Sequence, residues 1–236
     1  MIETFIPYLD HETALEGFVA YPSQKKHPTV ILCHAWKGRD DFICEKARLI
    51  ANWGFTGFAL DMYGKDVLGM SKEENAALKK PFLEDRKFLQ RRLLKAFEVA
   101  SQLPYVDSGR IAVLGFGFGG LCALDLARSG VNLLGAISVY GHFESLPVSF
   151  AKPIQAKILI LHGANDPIVT QNELLAFEQE LSNAKVDWQA HVYEGALHAF
   201  ATPGANDPAS GTLYDPIAAK RAEIAIHTFL DEIFII

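Results

Sequence analysis

Only three cysteines occur among the 236 residues, and no two of them form a CxxC pair. Cys33, Cys44 and Cys122 are too few and too scattered for a disulfide framework or a zinc site, so reduced thiols are expected. The eight histidines show no HxxxH or similar ligand spacing, and neither a metal nor another cofactor is expected. Positive charge is also scarce: 22 Lys and Arg stand against 28 Asp and Glu, a net charge of −6. Nucleic acid and anionic membranes need clustered cations, so neither is an expected partner. The one basic stretch, Arg86 to Lys95, is interleaved with Leu at helical spacing and reads as a solvated helix face. No apolar run approaches the length of a membrane span, and MIETFIPYLD lacks the basic start and apolar core of a secretory signal. A cytoplasmic location is the expectation. There is no internal repeat, low-complexity tract or linker, which favours a single domain over 1–236.

Half of the residues are hydrophobic and 21% are charged, enough apolar material for a sizeable core. Residues 3–8 and 13–21 alternate and predict two antiparallel edge strands before Pro22. After that the pattern changes to short continuous apolar runs, such as TVILCH at 29–34 and TGFALD at 56–61. Each is of strand length and apolar throughout, as a strand buried on both faces requires. Helical periodicities separate these runs: one from Asp40 to Gly54, one interrupted by Pro81, one through Leu89 to Ala100, and later ones over 121–128 and 171–183. Thr170 and Glu173 form a capping box, and Asp215 with Pro216 marks the start of a last helix. Strand and helix in alternation predict an α/β fold with a mostly parallel sheet covered on both faces.

RIAVLGFGFGGLCALDLARSG, from Arg110, carries a buried strand into a glycine-rich turn and then into an Ala- and Leu-rich helix. Two chemistries use this shape. Gly115, Gly117 and Gly120 fit the dinucleotide pattern GxGxxG, in which a pyrophosphate sits on the helix N-terminus. The next strand, however, ends in Val139, Tyr140 and Gly141, without the acid that would hold a ribose. Read instead as a nucleophile elbow, Gly115 and Gly119 flank the turn and Gly117 occupies the nucleophile position. Asp166, in LHGANDPIV after a buried strand, and His198, in GALHAF after the last strand, then follow in the order of acid and base. Each has a plainer reading alone, as a turn-forming Asp before Pro and as a surface histidine. Together and in order they point to a catalytic triad whose nucleophile is missing.

These motifs resemble the dienelactone hydrolase family over nearly the whole chain. That family carries GxCxGG, DxYG, HGxxDxxV and GxxHxF; here they are GFGFGG, DMYG from Asp61, HGANDPIV from His162 and GALHAF from Gly195. The resemblance implies an α/β-hydrolase fold and a cysteine-type hydrolase of small esters or lactones, with the thiol at the position of Gly117. It implies an oxyanion hole from the backbone amides of Ala35 and Phe118. It also implies a pocket near His34, Trp36, Tyr63, Tyr140 and Phe200, His34 standing where the family has a glutamate. An arginine that binds substrate carboxylate in the namesake lactonases falls at Thr202.

Gly117 has no side chain, so no acyl intermediate forms there. Cys122 lies more than a helical turn beyond it and Cys33 sits in an apolar strand, so both read as core residues. The sequence therefore supports a hydrolase with impaired or altered chemistry, in which His198 oriented by Asp166 activates a water. A non-catalytic small-molecule-binding protein on the same scaffold is the alternative, and dinucleotide binding through GFGFGG is a third reading.

Overall fold

The structure, a computed structural model, describes residues 1–145 and 152–234. Strands β1 (Ile2–Asp10), β2 (Thr13–Tyr21), β3 (His27–Cys33), β4 (Thr56–Ala59), β5 (Val106–Phe116), β6 (Gly135–Val139), β7 (Lys157–Gly163) and β8 (Trp188–Tyr193) form one sheet in the order β1-β2-β4-β3-β5-β6-β7-β8. The pairs β1–β2 and β2–β4 are antiparallel, and every later pair is parallel. Of the two antiparallel strands expected at an edge, only β1 is an edge. β2 is apolar from Phe18 to Tyr21 and buried along that stretch, so it is covered by β4 on its other side.

The apolar runs divide residue by residue between two cores, because successive strand side chains point to opposite faces. Val30 and Leu32 of β3, with Ala112, Leu114 and Phe116 of β5, pack under helices α1 (Asp41–Asn52) and α6 (Pro216–Phe234). Ile31 and Cys33, with Ile111 and Val113, face the other core, which α3 (Arg86–Ser101), α4 (Phe118–Arg128) and α5 (Gln171–Asn183) cover. A strand shared by two cores has no polar face, which is why these runs show no alternation in sequence. All three cysteines are free and buried, and burial pushes the Cys33 and Cys122 thiols well up.

Two expectations for the middle of the chain change. Pro81 does not end its helix: α2 (Lys72–Glu84) runs through it to Glu84. The amide that proline lacks would have bonded to the Ala77 carbonyl, and both residues are exposed, so the missing bond lies on a solvent-facing side of the helix. The basic stretch of α3 is also not simply solvated. Arg92 is buried and donates to Asp10 at 2.6 Å and to the Met62 carbonyl at 2.5 Å. Arg86 holds the fully buried Asp125 at 2.6 and 2.8 Å. Both partners are distant in sequence, so helical spacing alone gave no sign of them. No helix among the described residues is long and apolar enough to cross a membrane.

Candidate active site

β5 runs through Gly115 and Phe116 into Gly117, and α4 begins at the next residue. Gly117 has φ 55° and ψ −115°, a conformation that disfavours any side chain. The neighbouring glycines serve close packing. A Cβ on Gly119 would stand 2.1 Å from the Cys33 carbonyl oxygen and 2.6 Å from that of His34. A Cβ on Gly115 would stand 1.8 Å from the Gly119 carbonyl oxygen, and one on Gly120 2.6 Å from Gly141 Cα. The end of β3 and the start of α4 are thereby held side by side.

At Gly117 the surroundings are open by contrast. A Cβ there would meet His198 Nε2 at 3.7 Å and the Tyr140 ring at 3.8 Å, ordinary contact distances. His198 reaches this point from the turn after β8. Its backbone amide donates to the Gly211 carbonyl at 3.0 Å, and its carbonyl accepts from Leu213 at 3.1 Å. Residues 206–213 contain a two-stranded ladder of β9 (Asn206–Asp207) and β10 (Thr212–Leu213), and that ladder holds the backbone of the histidine.

Asp166 sits in the turn after β7. Its Oδ1 accepts from the amides of Ile168 at 2.8 Å and Val169 at 2.9 Å, and its Oδ2 accepts from His198 Nδ1 at 2.7 Å. With the carboxylate as acceptor, Nδ1 carries the proton and Nε2 is left as the basic nitrogen facing Gly117. Burial acts to raise the Asp166 carboxyl, but the hydrogen bond and charge of His198, with the amides of Val169 and Ile168, outweigh it and hold the group below the usual carboxylate range. A carboxyl depressed in the folded state contributes stability above its unfolded pKa, and that contribution is lost as pH falls through the folded value. Asp166→Asn is therefore expected to be less stable than wild type at neutral pH, with the deficit shrinking below about pH 4. Urea unfolding of both proteins at neutral and acid pH measures this, and a deficit independent of pH would contradict the assignment.

The expected pocket residues fall into two groups. Tyr63 and Trp36 are partly buried near the start of α4: the Tyr63 hydroxyl donates to the Trp36 carbonyl at 3.1 Å, and its ring stacks 6.2 Å from Phe118. Tyr140 packs edge-on to His198 at 5.2 Å. His34 and Phe200, however, present no surface to solvent. His34 donates from Nδ1 to the Ala35 carbonyl at 2.7 Å and accepts at Nε2 from the Met62 amide at 3.2 Å. Both ring nitrogens are thus spent on backbone, and burial keeps the ring neutral by lowering its pKa. Phe200 backs Tyr140 edge-on at 5.1 Å. Ala35 and Phe118 lie at the two chain ends that Gly119 brings together, and the Phe118 amide, first in α4, has no acceptor within the helix.

Lys79 and His142, two neighbours of the site, were not legible in sequence, whereas Thr202 stands where the resemblance places an arginine. Thr202 bonds through Oγ1 to the Tyr140 hydroxyl at 2.8 Å. Lys79, from α2, stands 5.4 Å over the Trp36 ring. His142 lies 6.1 Å from His198, ring centre to ring centre. Its position just past the carboxyl end of β6 was the available signal, since ligands of open parallel sheets bind at that edge.

The Dienelactone hydrolase family model matches residues 15–234. Among solved structures, the "dienelactone hydrolase-like promiscuous phosphotriesterase P91" from metagenomic libraries superposes with a TM-score of 0.93 at 30% identity, covering 98% of each chain. A Yersinia pestis protein provisionally named carboxymethylenebutenolidase is 28% identical over 213 residues, 84% of this chain and 78% of that protein. An uncharacterised Caenorhabditis elegans protein is 32% identical over 151 residues, 62% of this chain and 94% of that one.

Proposed function

The chain belongs to the dienelactone hydrolase family and has its α/β-hydrolase fold, and from that premise we propose that its site hydrolyses a small ester or lactone with water, activated by His198, in place of a protein nucleophile. The observation that carries this reading is the contact of 3.7 Å between His198 Nε2 and the point where a Cβ on Gly117 would lie. Every other part of a triad is disposed around an elbow that offers no side chain.

In this reading Asp166 fixes the tautomer of His198 and stabilises the imidazolium that forms when Nε2 takes a proton from water. The amides of Phe118 and Ala35 serve as donors to the oxyanion of the tetrahedral intermediate. Their support is the close packing of Gly119 on Cys33 and His34, which holds both chain ends at one place. Where a serine protease loses a triad member, the oxyanion hole and binding still leave ~10³ to 10⁴ over the uncatalysed rate. Slow but measurable turnover is the expectation.

The discriminating assay is steady-state hydrolysis of a short aryl ester by wild type and by His198→Ala. The variant is expected to lose about 10²-fold or more in kcat/KM, the usual worth of a positioned base. Wild-type turnover left unchanged by the substitution would overturn the proposal. Absence of turnover together with saturable binding of the ester would favour the non-catalytic reading of the same pocket.

A further inference from the structure

His142 stands beside the reacting centre and has no task in the scheme above. His142 follows Gly141, whose backbone packs on Gly120 so closely that a Cβ on Gly120 would fall 2.6 Å from Gly141 Cα. The histidine is thereby carried on a fixed support next to the elbow. Its ring is tilted 53° to that of His198. Its side chain is 24% exposed, so part of the ring is open to a ligand, and its Nδ1 lies 3.7 Å from Glu144 Oε1. Burial lowers its pKa, Glu144 and Asp166 oppose that shift, and His198 and Lys79 add to it. A proton on this ring is therefore held less tightly than on an ordinary histidine, and the protonated form that can donate is populated on the acid side of the ordinary histidine range.

Resting on the water mechanism of the preceding section, we infer that His142 is a second proton-transfer residue of the site, the acid that protonates the departing alkoxide of a small alkyl ester or lactone. The chemistry calls for such a group because Gly117 removes the covalent intermediate. In a nucleophile-based triad one histidine takes the nucleophile's proton and returns it to the leaving group before water enters. Here attack and departure belong to a single tetrahedral intermediate. The water oxygen bonds to the carbonyl carbon as its proton passes to His198 Nε2. The bond from that carbon to the leaving oxygen then breaks, its electron pair stays on the oxygen, and His142 supplies that oxygen with a proton. His198 afterwards releases its proton to solvent and His142 regains one, so ester plus water gives acid plus alcohol. For a lactone the alcohol remains on the product as a hydroxy acid. Two imidazoles 6.1 Å apart divide what one ring would otherwise have to carry from the water side to the leaving-group side.

The test compares 4-nitrophenyl acetate, whose leaving group departs without a proton, with ethyl acetate, whose leaving group needs one. His142→Gln is expected to lower kcat/KM for ethyl acetate by about 10²-fold, while the aryl ester changes by less than about threefold. His142→Asn is measured beside it, so that a folding defect in one variant does not decide the outcome. Equal losses on both esters would overturn the assignment in favour of a structural role. No loss on either ester, or wild-type activity confined to the aryl ester, would overturn it too. His198→Gln tests the underlying reading separately: near-wild-type rates on both esters sink the water mechanism whatever His142 does. Turnover of neither ester by wild type overturns both.

Discussion

Gly117→Cys is expected to raise aryl-ester turnover by at least about 10³-fold and to make the protein react with a thiol-directed acylating reagent. The reasoning starts from the space at the elbow. A Cβ at residue 117 meets His198 Nε2 at 3.7 Å without a clash, and a sulfur one bond further out comes within hydrogen-bonding reach of that nitrogen. Removing the nucleophile of a complete serine triad costs on the order of 10⁶ in kcat, which sets the ceiling for restoring one. The same change has an opposing effect on stability. Gly117 has φ 55° and ψ −115°, and a residue with a Cβ held in so sparsely populated a conformation costs about 1–3 kcal/mol. Gly117→Cys should therefore be more active and less stable than wild type. Gly117→Ala should show the same loss of stability with no gain in rate. Denaturant midpoints and single-turnover rates for the two variants separate the effects. A folded cysteine variant with no gain in rate would mean that Asp166 and His198 are not arranged around residue 117 for catalysis.

Gly119→Ala should destabilise the fold by about 3 kcal/mol or more. Its Cβ would stand 2.1 Å from the carbonyl oxygen of Cys33, the last residue of a central strand paired on both sides. Backbone in that position has no room to retreat, unlike the flexible side chains whose shifts hold most overpacking costs to about 1–3 kcal/mol. Total stabilities of about 5–15 kcal/mol make such a loss visible as poor expression or a sharply lowered midpoint. Gly109→Ala is the matched control. Its Cβ would meet only Asp107 Oδ1, at 3.5 Å, on the exposed first part of β5, and a change within about 0.5 kcal/mol is expected. If Gly119→Ala is as stable as the control, the close packing of β3 on α4 is not what holds the elbow. The position is informative because GxGxxG makes no demand at residue 119, whereas an elbow does.

Much of this architecture could be read along the chain. Apolar runs of strand length, separated by helical periodicities, required a mostly parallel sheet with helices on both faces, and each run lies on the strand it anticipated. The capping box at Thr170 and the Asp215–Pro216 helix start were also legible, because caps depend on residues three or four positions apart. Asp166 and His198 could be singled out for a similar reason: each sits at the end of a buried run, inside a motif a few residues long.

Other features depended on how distant segments pack. Arg92 looked solvated on its helix, yet it is buried, because Asp10, 82 residues away, supplies its partner. β2 looked like an edge until β4 came to lie against it. His34 fell in the expected pocket by motif, but the fold spends both of its ring nitrogens on backbone. Thr202 bonds to Tyr140 across 62 residues, and His142 reaches His198 only because the carboxyl ends of β6 and β8 open on the same side of the sheet. The sequence by itself determined which segments become strands and helices, and which residues stand at the elbow, the acid turn and the histidine turn, since these are local matters of periodicity and turn chemistry. Tertiary structure alone decided the neighbours of those residues and which polar groups are left free, because contact between distant segments is set by the packing of the whole sheet.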